Sequence, residues 1–250
     1  MLGNEFTTFT AGEYYEGHFD SQAYVKNFYS CPAEEKNFLA FVLRCLSRIF
    51  SAGEHKGKLL VDVGSGPSIH SLEIEKWLKS QKDGLDWKPM LQYVYEIKGK
   101  SPSDLEATLK QQAKKVLKCD VRLDNPFYPH TLEPADCVIT SLCLEAVCKD
   151  IQTYCLALHG LSKLMRPGGL LVMIGVLGES FYKVDEQLFS CLGLSRDNIE
   201  EGFCCCSFHP SLFRQSSSVT NVVNIPVATR KKTKVLFKIN PERKTISFIF

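Results

Sequence analysis

The residues best arranged for chemistry in this chain are Leu59-Leu60-Val61-Asp62-Val63-Gly64-Ser65-Gly66-Pro67. A short apolar run leads straight into a Gly-x-Gly turn. Glycines there adopt dihedrals that other residues resist and let a ligand approach the backbone. In open α/β sheets, ligands bind at such turns, beside the carboxyl ends of the strands. A pyrophosphate-binding dinucleotide site would want a third glycine, and Ile69 stands in its place. A second punctuated segment, Leu161-Ser162-Lys163-Leu164-Met165-Arg166-Pro167-Gly168-Gly169-Leu170-Leu171-Val172, follows later in the chain. Metal chemistry is not expected. Cys204, Cys205 and Cys206 are adjacent and do not make the usual C-x2-C chelate, even with His209 nearby.

The elements that must position these residues can be read from periodicity. Residues 33–50 place Phe38, Leu39, Val42, Cys45, Leu46, Ile49 and Phe50 on one helical face. Lys58 to Val63 reads as a buried strand. Residues 103–118 read as a helix opened by Ser103 and Glu106 in capping-box spacing, with Leu105, Leu109, Val116 and Leu117 as its buried stripe. Ala135 to Ser141 is a second buried strand. Asp150 caps a helix whose inner face holds Ile151, Tyr154, Cys155, Leu158 and Leu161. Arg166-Pro167-Gly168-Gly169 is expected to break the chain before a strand over 170–177. Alternating strands and helices argue for a parallel sheet covered on both faces. From about Cys204 the periodicity weakens. Val235 to Ile239 and Ile246 to Phe250 read either as edge strands or as disordered ends.

The 250 residues are 44% hydrophobic, enough for one sizeable core and at most two domains. A net charge of +2 gives no electrostatic case for nucleic acid or a membrane surface as partner. The basic cluster Arg230-Lys231-Lys232-Thr233-Lys234 reads as a solvated tail. No stretch approaches the roughly 20 apolar residues of a spanning helix, and Met1 to Gly17 lacks the apolar run of a signal peptide. Eleven cysteines, scattered through apolar segments, read as reduced thiols. The expectation is a cytoplasmic monomer.

In this order, the segments resemble the family of nicotinamide, indolethylamine and phenylethanolamine N-methyltransferases. The matching stretches are Ala23-Tyr24 through Tyr29, Val61 to Pro67, Val116 to Val121, Pro134 to Val138, Leu142 to Val147, Leu164 to Leu171 and Gly175 to Tyr182. The resemblance implies a Rossmann-like fold, a three-layer α/β sandwich, and S-adenosylmethionine as cofactor. That molecule has no pyrophosphate, so Ile69 is no obstacle. By the resemblance, Tyr24 and Tyr29 cover the methionine end from an N-terminal lid. Gly64, Ser65 and Gly66 contact the cofactor through the backbone. Asp120 and Val121 hold the adenine, and Ser141 and Leu142 line the sulfonium. Glu179 is the expected catalytic carboxylate, with Tyr182 and Gly175 lining the pocket of a small aromatic amine. The nicotinamide-type members carry an aspartate where this chain has Gly175, so the pattern leans toward an arylalkylamine.

The chain departs from the family twice. Ser68-Ile69-His70-Ser71-Leu72 runs directly into Glu73-Ile74-Glu75-Lys76-Trp77-Leu78-Lys79, so the second strand and its ribose-binding carboxylate are missing, near residues 70–75. Glu73 and Glu75 read as a solvated helix face, and His70 stands where the family has a tyrosine. After Phe203 the closing helix and antiparallel strand pair are not recognisable. The expectation is therefore a methyltransferase domain over 1–203 and a divergent tail over 204–250. A catalytically inactive paralogue or splice isoform remains the alternative to an active enzyme.

Overall fold

The computed structural model describes residues 9–29, 38–51, 57–64, 88–99, 101–113, 115–206, 208–216, 222–230 and 245–249, with backbone alone from 209 onward. Two short helices, α1 (Gly12–His18) and α2 (Ser21–Tyr29), precede α3 (Phe38–Ser51) and strand β1 (Leu59–Val63). Helices α4 (Lys88–Lys98) and α5 (Pro102–Gln112) follow, then β2 (Ala135–Ser141), a single turn α6 (Leu144–Val147), α7 (Ile151–Lys163) and β3 (Met165–Leu177). A hairpin of β4 (Phe181–Val184) and β5 (Gln187–Ser190) leads to α8 (Arg196–Cys205). Strands β6 (Phe208–Ser216), β7 (Val222–Arg230) and β8 (Thr245–Ile249) complete the order.

The main sheet runs β6-β7-β3-β2-β1-β8. Strands β1, β2 and β3 are parallel, with Leu60 opposite Cys137 and Cys137 opposite Leu170. Their alternation splits the core in two. Val61, Val63, Val138, Leu171 and Met173 face α7 and α8, where Tyr154, Leu158, Leu161, Ile199 and Phe203 pack against them. Cys137, Leu170, Val172 and Ile174 face the other way, onto Val42, Cys45 and Ile49 of α3. This is the three-layer arrangement expected of a parallel sheet buried on both sides.

Local chemistry fixes the element ends. The Asp150 carboxylate accepts from the Thr153 amide at 2.7 Å while the Thr153 hydroxyl accepts from the Asp150 amide, so α7 starts on a reciprocal cap. Ser195 and Asn198 do the same for α8. Asp136 joins the bases of all three central strands. Its carboxylate accepts from the Lys58 and Leu59 amides at 2.6 and 3.0 Å and from Arg166 Nε at 2.5 Å. Burial pushes this carboxyl up, but those donors outweigh it and hold it below the usual range.

Three expectations are corrected. The helix read over 103–118 ends at Gln112, and Val116 and Leu117 lie in irregular chain, where Leu117 packs against the core. Strand β3 begins at Met165 rather than 170. Arg166-Pro167-Gly168-Gly169 is absorbed by a register irregularity between Ala135 and Cys137, with Gly168 at φ 78°. Beyond Phe203 an antiparallel pair does exist: β7 runs antiparallel to β3, with Val172 opposite Val227, and β6 pairs with β7. These strands belong to the same sheet as β1–β3. Residues 65–87, where the second strand is read as missing, lie outside the described residues. The outer edge of β1 is nevertheless paired: β8 lies parallel to it, Leu59 opposite Thr245 and Val63 opposite Ile249.

Candidate active site

The carboxyl ends of β1, β2 and β3 meet in one place. At the end of β1, Gly64 has φ 73°, and a Cβ there would fall 2.3 Å from Cys143 Sγ. No side chain fits this position, so the backbone turn stays open to close approach. At the end of β2, Leu142 has φ 51°, a strained value for a bulky residue, held by its amide donating to the Ile174 carbonyl at 2.8 Å. Strain of this kind collects where the chain must present backbone to a ligand. Ser141 beside it is half-buried. Ser65 and Gly66 lie outside the described residues, as does the side chain of Tyr29.

The other predicted cofactor residues fall as follows. Val121 is buried in the main core. The Asp120 carboxylate accepts both Arg122 Nε and Nη2 at 2.8 Å, and Arg122, first among several influences, holds it below its usual range. Oδ1 also accepts from the Arg122 amide at 3.0 Å, so it is Oδ2 that keeps a lone pair for a further donor. Tyr24 is half-buried in an aromatic cluster on the N-terminal helices, its ring 5.3 Å from Phe19 and 4.9 Å from Phe28. The cluster continues through Tyr15 and Phe189 to Tyr182 on the β4–β5 hairpin. The Tyr182 hydroxyl donates to the Tyr15 hydroxyl at 2.9 Å. Burial first, and Tyr182 second, push the Tyr15 phenol far up, and Cys143, just beyond β2, adds to this.

Two carboxyl groups belong to this region. Glu179, expected from the sequence, is half-buried, and burial raises its pKa. The second, Glu145 on α6, was not singled out by the sequence reading. It is 8% exposed, and burial pushes its carboxyl up to about 7, with Glu179 adding to the shift. Its Oε1 accepts from the Val176 amide at 3.3 Å. A Cβ on Gly175 would sit 3.0 Å from that same oxygen, so the glycine makes room for the carboxyl against β3. A small cavity of about 20 Å³ lies here, lined by Thr140, Glu145, Met173, Gly175, Leu194 and Ile199. The signal for Glu145 was present in the sequence: an acid enclosed by the apolar run Leu144 to Val147 at the end of a buried strand.

An open turn at the carboxyl end of β1, a strained turn after β2 and a buried carboxyl beside β3 form the ligand-binding end of a Rossmann-like sheet. The NNMT/PNMT/TEMT family model matches residues 7–73 and 71–220, two segments that meet where the sequence reads as lacking the second strand. The chain is 39% identical over 219 residues to nicotinamide N-methyltransferase of Homo sapiens, covering 77% of this chain and 83% of that one. It is 36% identical to indolethylamine N-methyltransferase of Oryctolagus cuniculus, covering 80% and 86%. To phenylethanolamine N-methyltransferase of Rattus norvegicus it is 32% identical, covering 76% and 77%. The chain belongs to the NNMT/PNMT/TEMT family.

Proposed function

We propose that this chain transfers a methyl group from S-adenosylmethionine to the nitrogen of a small aromatic amine, with Glu145 and Glu179 as the carboxyl pair that manages the amine's proton. The observation that carries this is the burial of Glu145 beside the turn at Gly64 and Leu142. Bound S-adenosylmethionine supplies a methyl already activated on a sulfonium. The protein's task is then to place the nitrogen in line with it, which alone is worth on the order of 7–11 kcal/mol.

Gly64, Ser65 and Gly66 would hold the cofactor through their backbone, Ser141 and Leu142 would flank its sulfonium, and Asp120 and Val121 its adenine. Tyr24 and Tyr29, with Tyr15, would exclude water from above. An ammonium has no lone pair to methylate. A carboxylate near it both attracts the cation and accepts its proton, directly or through water. A carboxyl ionising near neutrality suits that role, and Glu145 has the shift. Tyr182 would form the wall of the amine pocket. Gly175, where nicotinamide-type members carry an aspartate, favours an arylalkylamine over nicotinamide.

The unpaired state of all ten described cysteines supports a reducing, cytoplasmic setting, and the relatives' small-amine substrates support a place in amine metabolism. Among the described residues no helix is long and apolar enough to cross a membrane. We further propose that the chain acts as a monomer. The test is transfer of labelled methyl from S-adenosylmethionine to a panel of nicotinamide, tryptamine and phenylethanolamine. Turnover of one of the two arylalkylamines above nicotinamide is expected; no turnover of any would refute the proposal. The missing second strand, with the ribose-binding carboxylate it carries in the family, favours the alternative of a fold retained without activity. Calorimetry separates the two: an active enzyme binds S-adenosylmethionine, and the inactive isoform does not.

A further inference from the structure

Behind Glu145 the core holds hydroxyl groups that amine binding and methyl transfer leave unused. Thr140, on β2, is 2% exposed, and its hydroxyl oxygen has no hydrogen-bond partner among the described residues. The Cys143 thiol lies within its reach but is a weak partner that satisfies it poorly, which leaves the oxygen free for a stronger one. The Tyr154 hydroxyl on α7, wholly buried, also lacks a partner. A buried hydroxyl left unpaired is destabilising, so native proteins pair such groups with protein or with ordered water.

Thr140, on β2, and Glu145, on α6, line the same cavity. A cavity of this size takes one water molecule if polar partners are present. The remaining walls include Met173, Leu194 and Ile199, which offer none. We propose that Thr140 is a positioning residue: its hydroxyl holds one ordered water against the buried Glu145 carboxyl and so steadies the carboxylate form. This rests on Glu145 acting as proton acceptor.

The water would accept from Thr140 Oγ1 or donate to it, and donate to the carboxylate. Hydrogen bonding to the charged form of an acid lowers its pKa. The other titratable groups acting on Glu145 are Glu179 after β3, Cys143 and Cys148 flanking α6, Tyr154 on α7, Tyr182 on β4 and Cys191 after β5. Burial raises the thiols and phenols among them and so favours their neutral forms, and Glu179 raises Glu145 rather than lowering it. The side chain of Ile199, from α8, is apolar. Beyond the Glu145 and Val176 amides, Thr140 is the polar side chain that shares the cavity with this carboxyl.

The experiment is the pH profile of kcat/KM for T140V, T140S and E145Q against the unmodified protein. T140V keeps the shape and removes the hydroxyl; its acid limb should move up by about half a unit to one unit. T140S should restore the original limb. An unmoved limb in T140V overturns the inference. E145Q tests the underlying reading separately: if it keeps the acid limb, the assignment of Glu145 falls and the role of Thr140 with it. Should T140V not fold, a crystal structure showing an ordered water within hydrogen-bond distance of both Thr140 Oγ1 and the Glu145 carboxyl supports the inference, and a cavity without one overturns it.

Discussion

In the folded chain the Glu145 carboxyl ionises near pH 7, against 4.5 for an exposed glutamate, because burial withholds the water a charge needs. Below pH 4.5 it is protonated in both folded and unfolded chains. Between 4.5 and 7 the unfolded chain releases the proton while the folded one keeps it. Stability attributable to this group is thus fully present below 4.5 and is lost as pH rises through 7, by about 3 kcal/mol. Replacing Glu145 by glutamine should raise the melting temperature at pH 8 and leave it unchanged at pH 4.5, as calorimetry at the two values would show. The same change should lower turnover by roughly 100-fold or more, the usual worth of a positioned acid–base group. Removing the charge of Glu179 with E179Q acts in the opposite sense on its neighbour: Glu145 should titrate lower, and the acid limb of kcat/KM should shift to lower pH. The sequence pointed to Glu179 through its resemblance to amine methyltransferases. For Glu145 it held only a hint, an acid inside the apolar run Leu144 to Val147, because its burial depends on Leu144, β3 and α8 closing around it, and spacing along the chain does not record that.

Among the elements, the turn after β1 is the most constrained. Gly64 combines φ 73° with a Cβ direction blocked by the Cys143 thiol. Gly64→Ala should cost at least about 2 kcal/mol in a urea melt, from left-handed strain and the clash together, and should abolish binding of S-adenosylmethionine. Gly175→Ala is a milder case: the added carbon meets the tip of Glu145, which can give by a few tenths of an ångström. Its expected signature is reduced kcat with little change in melting temperature. The strands that carry these turns were legible because each is a short apolar run buried on both faces. β2 spans Ala135–Ser141, as its sequence suggests, and β1 differs by one residue. The limits of α5 and β3 were not legible. Both depend on tertiary pairing: Leu117 is drawn to the core out of helical geometry, and an irregularity against β2 lets Arg166-Pro167-Gly168-Gly169 remain in a strand.

Across the whole molecule, the sheet is completed from both ends of the chain's second half. β6 and β7 close it beyond β3, and β8 covers the outer flank of β1. An uncovered strand edge invites pairing with other molecules. Deleting residues 245–249 should therefore promote association, visible as early-eluting species in size-exclusion chromatography, whereas a chain with β8 intact elutes as a single species. The tail was hard to read from sequence because its strands are short, and their partners, β3 and β1, lie far away along the chain.

The claim beneath all of this is that a buried carboxyl at the carboxyl end of a parallel sheet takes the proton from an amine during methyl transfer from S-adenosylmethionine. The most direct test is the pH dependence of single-turnover methyl transfer to phenylethanolamine by the native chain and by E145Q. The native rate should rise through an apparent pKa near 7, and the variant should be slow with that limb absent. Equal rates and an identical limb in the two proteins would contradict it.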